Sequence, residues 1–144
     1  MAAEPPGFHI DGRAELALVD RVLDELDRLW IRAPGVPAED RTLFTLALSE
    51  VATNIAQHSR GIDVTMSVDV RASDGALHAE VVDSAEPATI DWDGVVMPEQ
   101  ASENGRGLAL AQAALDEFSH SATARGNTWG LVRRLQAHPN DPSI

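Results

Sequence analysis

Three polar side chains, Glu50, Asn54 and His58, recur at intervals of four within an apolar stretch that includes Leu48, Val51, Ala52 and Ile55. Residues four apart on a helix lie one above another, so these three form a polar stripe beside an apolar one. A carboxylate and a carboxamide buried without partners are costly, so the stripe needs water, a metal or a bound polar ligand to face. It reads as the lining of a site. Taken singly, each residue also has a plainer role. Glu50 suits a solvated helix rim, Asn54 can satisfy a buried backbone group, and His58 at a helix end can interact with the helix dipole.

Two further features follow in the chain. Asp83 ends the run Leu77-His78-Ala79-Glu80-Val81-Val82 and precedes an aperiodic stretch, Ser84 to Asn104, that contains Pro87, Gly94 and Pro98. Such a stretch is long enough to act as a lid. Gly105-Arg106-Gly107-Leu108 closes it and opens a helix. Free N–H groups and the positive dipole end at a helix start make an anion site, which glycines allow to be approached closely. The same four residues equally suit a simple loop-to-helix turn, with Arg106 in solvent, and an Asp at a strand end is ordinarily a turn residue.

The elements that must position these residues follow from periodicity. Leu16, Val19, Leu23, Leu26 and Trp30 mark an amphipathic helix from Arg13 to Ile31, ended by Pro34, Gly35 and Pro37. A second helix starts near Pro37 or Ala38, with Glu39 and Asp40 complementing its dipole, and runs to about His58. Ile62, Val64, Met66, Val68 and Val70 alternate on one face of a strand, and Ser73-Asp74-Gly75 turns that strand into the run ending at Asp83. A third helix is expected from about Leu108 to Phe118. Two short strands, His120 to Arg125 and Thr128 to Leu135, are then expected on either side of a Gly126-Asn127 turn. Residues 1–7 and 137–144 read as loose tails around one domain spanning 8–136. Three helices and at least four strands make an α+β, two-layer sandwich, with the helices on one face of a mixed, mostly antiparallel sheet.

Composition narrows the partners. A chain of 144 residues fits one core and buries roughly two-thirds of the surface its unfolded form exposes. The formal net charge of -12 repels phosphate backbones, so nucleic acid and anionic membranes are poor partners and a basic or mixed protein surface suits better. No apolar run approaches the roughly 18 residues of a membrane helix, and Met1 to Gly7 lacks the parts of a signal peptide. With no Cys, these features suit a cytoplasmic protein. All eleven basic side chains are Arg, which with the many Ala residues hints at a GC-rich bacterial genome. Any phosphate must then be held by Arg, by backbone N–H groups or by a metal, never by an ammonium.

The order and spacing of the helix stripe, Asp83, Gly105-Arg106-Gly107 and Gly126-Asn127-Thr128 resemble the GHKL, or Bergerat-fold, ATPase superfamily. The Glu-x-x-x-Asn-x-x-x-His form and short chain look most like the bacterial anti-sigma-factor serine/threonine kinases, over roughly Asp40 to Leu135. The resemblance implies ATP and magnesium as cofactors. It makes Asn54 the metal ligand, Glu50 the general base toward a substrate hydroxyl, and His58 a ligand contact. Asp83 would accept a hydrogen bond from the adenine amino group, Gly105, Arg106, Gly107 and Leu108 would meet phosphates, and Thr128 would floor the adenine pocket. Magnesium prefers hard oxygen ligands and often takes only one or two from protein, so a single carboxamide is enough. One departure stands out: Asp83-Ser84-Ala85-Glu86-Pro87 keeps the accepted Pro87 but has Ala85 where the family has Gly. If that position takes a positive φ, a Cβ costs on the order of 1 kcal/mol and weakens ATP binding.

The implied function is an ATP-dependent serine/threonine kinase that is also an anti-sigma factor. Its partners would be a sigma factor and a phosphorylated anti-anti-sigma protein, with a homodimer expected and no direct contact with nucleic acid or membrane. The alternative, which Ala85 favours, is a non-catalytic regulatory module of the same fold, with nucleotide bound structurally or not at all. The catalytic half of a histidine kinase fits less well, because no helix carries a phosphoacceptor His and no room remains for a dimerising hairpin. A hydrolase would want a second catalytic carboxylate, and none suggests itself.

Overall fold

The computed structural model describes residues 4–59, 63–86 and 103–135, with the backbone alone at 103–106. In chain order the elements are β1 (Gly7–Arg13), α1 (Leu16–Arg32), α2 (Ala38–His58), β2 (Thr65–Ser73), β3 (Ala76–Asp83), α3 (Glu103–Ala114), β4 (Glu117–Thr123) and β5 (Gly126–Arg134). The strands form one five-stranded sheet in the order β1-β2-β3-β5-β4. Every pairing is antiparallel, where a mixed sheet was expected. The three helices cover one face, which makes the α+β two-layer sandwich that the periodicities predict.

The strand alternation decides which face is covered. Met66, Val68 and Val70 of β2, Leu77, Ala79 and Val81 of β3, and Trp129 and Leu131 of β5 are buried and join one cluster with the helices. Helix α1 contributes Leu18, Val19, Val22, Leu26 and Leu29, a stripe rotated from the expected one, so that Leu16 is 51% exposed. Helix α2 contributes Phe44, Ala47, Leu48, Val51, Ala52 and Ile55. The β2–β3 hairpin turns as its residues suggest: Asp74 (φ 56) and Gly75 (φ 72) both take the left-handed conformation that a two-residue primed turn demands.

Three boundaries differ from the sequence reading. Strand β1 falls where no element was expected, with only Gly7 in the expected tail, and it is paired along its length with β2 and directs Phe8 and Ile10 toward the helices. Helix α3 begins five residues earlier than Leu108 and ends at Ala114. Phe118 is therefore not helical: Asp116 receives the backbone N–H of Arg134 on Oδ2 at 2.6 Å and donates its own to Val132 O at 2.8 Å, which starts β4. Finally, Gly126-Asn127 is not the last turn. The turn falls at Ala124-Arg125, and Gly126 and Asn127 open β5. Gly126 has φ 141, and a Cβ there would overlap the carbonyl oxygen of Asp83 on β3. The glycine serves a close strand approach rather than a reversal of direction.

A buried ion pair ties the helices to the far end of β5. Asp40, fully buried in the first turn of α2, accepts from Arg133 Nε at 2.8 Å, and Arg133 Nη1 donates to the carbonyl of Ala114 at 2.7 Å. One guanidinium thus fixes the start of α2 and the end of α3 against the sheet. Removing one member leaves the other charge buried, at a cost of about 3–5 kcal/mol. Arg133→Met is therefore expected to lose about that much in urea unfolding, and Asp40→Leu added to it should recover part of the loss.

A weaker tie joins the exposed edge. Both ring nitrogens of His9 lie 2.7 Å from carboxylate oxygens, Nδ1 from Asp69 and Nε2 from Asp11. Ionised carboxylates only accept, so both nitrogens donate and the ring is an imidazolium. The hydrogen bond to Asp11, then that to Asp69, raises its pKa above the ordinary 6.5. A raised value in the folded chain stabilises fully below 6.5 and is lost as pH climbs through the folded value. The small thermal advantage of the wild type over His9→Gln should therefore shrink as pH rises above 6.5. An advantage independent of pH would exclude the imidazolium.

Candidate functional site

The polar stripe forms on α2 as its spacing requires. Glu50 and Asn54 are half-buried, their apolar neighbours Leu48, Val51, Ala52 and Ile55 are buried, and His58 is exposed in the last turn. The helix closes immediately afterwards, where the buried Ser59 donates its hydroxyl to Ile55 O at 2.7 Å. Helix α3 packs against α2. The contact that matters is at Gly107, where an added Cβ would lie 2.8 Å from Glu50 Oε2 and 3.8 Å from its Cδ. That space belongs to the carboxylate. Glu50 therefore rests against the opening turns of α3, where the positive end of the helix dipole favours an anion.

The glycine-flanked segment differs slightly from its expected place. Gly105, Arg106 and Gly107 lie inside α3 rather than ahead of it. Gly105 is the third helical residue, so its N–H group remains among those at the helix start that have no partner within the helix, whereas that of Arg106, the fourth, belongs to the first intrahelical bond. Leu108 is turned into the core at 9% exposure. The side chain of Arg106 and all of Pro87 lie outside the described residues.

A second polar group sits across β3 and β5. Asp83 and Asn127 face each other in the register and are 3% and 4% exposed. Asp83 Oδ1 accepts from Asn127 Nδ2 at 2.9 Å and from the backbone N–H of Ala85 at 3.0 Å, while Oδ2 accepts from Trp129 Nε1 at 2.9 Å. Asn127 Nδ2 also donates to Glu86 O at 3.1 Å, and Asn127 Oδ1 is 2.8 Å from His120 Nε2. The Trp129 ring lies between His120, at a centroid distance of 4.4 Å, and Phe118, at 6.2 Å. Three donors compensate the burial of the Asp83 carboxylate.

Ala85 does not carry the strain its substitution for Gly suggests. Among the described residues Asp74 is the only non-glycine with positive φ, so Ala85 sits in ordinary backbone space. Its N–H closes a turn on the Asp83 side chain and it packs against the core cluster. Thr128 is on the wrong strand parity to join Asp83. It pairs with Val82 in the register, so its side chain lies on the sheet face opposite the helices. The structure thus brings Glu50 to Gly107, and Asp83 to Ala85, on the helix side of the sheet. It leaves His58 at the solvent-exposed end of α2.

Asn127, Trp129 and His120 were not anticipated as site residues. The available signal was parity: placing Gly126 inside the strand makes Asn127 and Trp129 share a face and puts His120 across from Trp129. Reading Gly126-Asn127 as a turn broke that parity.

Two solved structures have similar folds. The first is the crystal structure of the RsbU and RsbW domains of Rv1364c from Mycobacterium tuberculosis, matched with a TM-score of 0.67 and 23% identity over 96% of this chain and 35% of that one. The second is the histidine kinase domain of the Erythrobacter litoralis EL346 blue-light activated histidine kinase, with a TM-score of 0.52 and 21% identity over 83% of this chain and 60% of that one. The chain spans about a third of the first and three-fifths of the second. At these identities the likeness is one of fold. Among the described residues no helix is long and apolar enough to cross a membrane. The model of the histidine kinase-like ATPase domain matches residues 12–132, from β1 through all but the last two residues of β5. The chain belongs to the histidine kinase-like ATPase family.

Proposed function

We propose that the chain is an ATP- and magnesium-dependent serine/threonine protein kinase that also acts as an anti-sigma factor, with a sigma factor and a phosphoacceptor anti-anti-sigma protein as partners. The observation that carries this reading is the approach of the Glu50 carboxylate to Gly107 in the opening turns of α3. It sets a proton acceptor beside a group of backbone N–H donors suited to phosphate. The family supplies the ATPase framework. The Glu50-x-x-x-Asn54-x-x-x-His58 form supplies the resemblance to anti-sigma kinases.

The residues fit the implied cofactors. The half-buried Asn54 carboxamide offers a hard oxygen one turn from Glu50, and the second turn of α3 is free of a side chain at Gly107. When bound, magnesium-ATP supplies the phosphoryl group and offsets its charge. Glu50 would accept the proton of the substrate hydroxyl, Asp83 would accept a hydrogen bond from the base, and the free N–H groups at the start of α3, that of Gly105 among them, would orient the phosphate end. A homodimer is part of the same reading.

One observation favours a second reading, a non-catalytic regulatory module. Asp83 already accepts three hydrogen bonds from its own chain and does not need a ligand to be satisfied. Calorimetric titration with magnesium-ATP separates the two, since a module working without nucleotide shows no binding.

Two substitutions test the catalytic reading. Glu50→Gln should lower transfer to the cognate phosphoacceptor by about a hundredfold or more while ATP affinity changes little. Unchanged transfer would reject Glu50 as the base. Gly107→Ala should act in opposite directions on fold and function. Alanine is the better helix former by about 0.8–1 kcal/mol, so stability should hold, whereas its Cβ must displace the carboxylate and lower transfer about tenfold or more. Thermal unfolding alongside the transfer assay reads both, and full activity in that variant would show that Glu50 works from elsewhere.

A further inference from the structure

We infer that Asn127, oriented by His120, is a positioning residue that aims the Asp83 carboxylate and thereby sets discrimination for a purine bearing a 6-amino group over one without it. The inference rests on the nucleotide reading above and concerns residues that the sequence resemblance leaves without a role.

The argument starts from donor and acceptor types. A carboxamide oxygen only accepts, so His120 Nε2, 2.8 Å from Asn127 Oδ1, must carry a proton and donate. The Asp83 carboxylate only accepts, so the NH2 end of the amide must face it, and the bond from His120 holds the oxygen end. Flipped, Asn127 would turn its NH2 toward a donor and its oxygen toward the Asp83 carboxylate. Held as it is, its two N–H bonds go to Asp83 Oδ1 at 2.9 Å and to Glu86 O at 3.1 Å. His120 also packs against the Trp129 ring, at a centroid distance of 4.4 Å.

The lone pairs of Asp83 then divide unequally. Each carboxylate oxygen accepts about two hydrogen bonds. Among the described residues, Oδ1 has both filled, by Asn127 Nδ2 and the Ala85 N–H, whereas Oδ2 has one donor, Trp129 Nε1. The remaining acceptor capacity lies on Oδ2. A ligand must bring an N–H there, and one that brings a C–H leaves the lone pair unmet. Without Asn127 the carboxylate loses a donor on Oδ1, gains freedom about its side-chain torsion and spreads its acceptor capacity over both oxygens. The site should then distinguish a 6-amino purine less well. Asn127 has its own bonds to the chain, so it acts through Asp83 rather than on the base.

The experiment compares magnesium-ATP with the triphosphate of purine riboside, which lacks only the 6-amino group, by calorimetric titration of the full chain. In Asn127→Leu the ratio of the two affinities should fall about tenfold, the value of roughly one hydrogen bond, while affinity for the purine riboside triphosphate stays within about twofold. His120→Phe keeps a ring against Trp129 and removes the donor, so the ratio should fall several-fold. His120→Gln restores an N–H donor and should return the ratio to the wild-type value. A purely structural role for the relay would weaken both nucleotides alike and leave the ratio unmoved, which overturns the inference. If Asn127→Leu does not fold, the His120 pair decides on the same criterion. A wild-type chain that binds neither triphosphate overturns the nucleotide reading itself, and the inference with it. Wild-type discrimination that survives in the variants overturns the inference alone.

Discussion

The close approach of β5 to the end of β3 is the constraint on which the polar side of this fold depends. At Gly126 a side chain would collide with the Asp83 carbonyl, and the residue also takes a φ that other residues adopt only with strain. With that approach made, Asn127 is directly opposite Asp83 and Trp129 is one step further on the same face. The donors reaching Asp83 from β5 follow from this register. A one-residue slip would turn Asn127 and Trp129 to the open face and bury Thr128 beside the carboxylate instead.

The opposite end of β5 has a different task. Arg133 joins Asp40 in α2 and the carbonyl of Ala114 in α3, so the two helices that carry Glu50 and Gly107 are tied to the strand that carries Asn127. A cation at the end of α3 also complements the negative end of its dipole. The opening turns of α3, twelve residues long in all, then meet α2 at Glu50. Asp40 has two roles here. Its place in the first turn of α2 suits the dipole, as its position in the chain suggests, and its burial makes it half of a clamp that only the tertiary fold reveals.

Much of this was legible from periodicity. The apolar spacing of α2, the alternation of β2 and the Asp74-Gly75 turn are local patterns, and each formed nearly where it was expected. The failures share a cause: each depends on a partner distant in sequence. Strand β1 is seven residues that begin at Gly7, just after Pro6, and include Gly12, too short to announce itself, and pairing with β2 makes it a strand. Helix α3 stops where Asp116 is taken up by β5, 18 residues away from Asp116 at Arg134. Gly126-Asn127 has the composition of a turn, and only the proximity of Asp83 explains why its glycine is spent on strand approach. Of the residues named by motif, Glu50, Asn54 and His58 lie on α2 and Asp83 ends β3, Gly105 to Gly107 lie inside α3 rather than ahead of it, and Thr128 faces away, because motif spacing carries no information about parity across a misplaced turn.

Two buried carboxylates in one small domain are met in opposite ways, and the difference bears on what each can do. Asp40 faces a guanidinium, a strong charge-assisted partner that holds helix to sheet. Asp83 is met by an amide, an indole and a backbone N–H, all neutral. Neutral donors offset its burial without cancelling its charge, and Oδ2 keeps an unfilled acceptor position among the described residues. A guanidinium in their place would offset the charge that draws a ligand donor to the group. The same contrast accounts for Ala85. Its N–H binds Asp83 in a turn that needs no left-handed residue, so this chain holds the carboxylate with the backbone of a residue where the family has glycine.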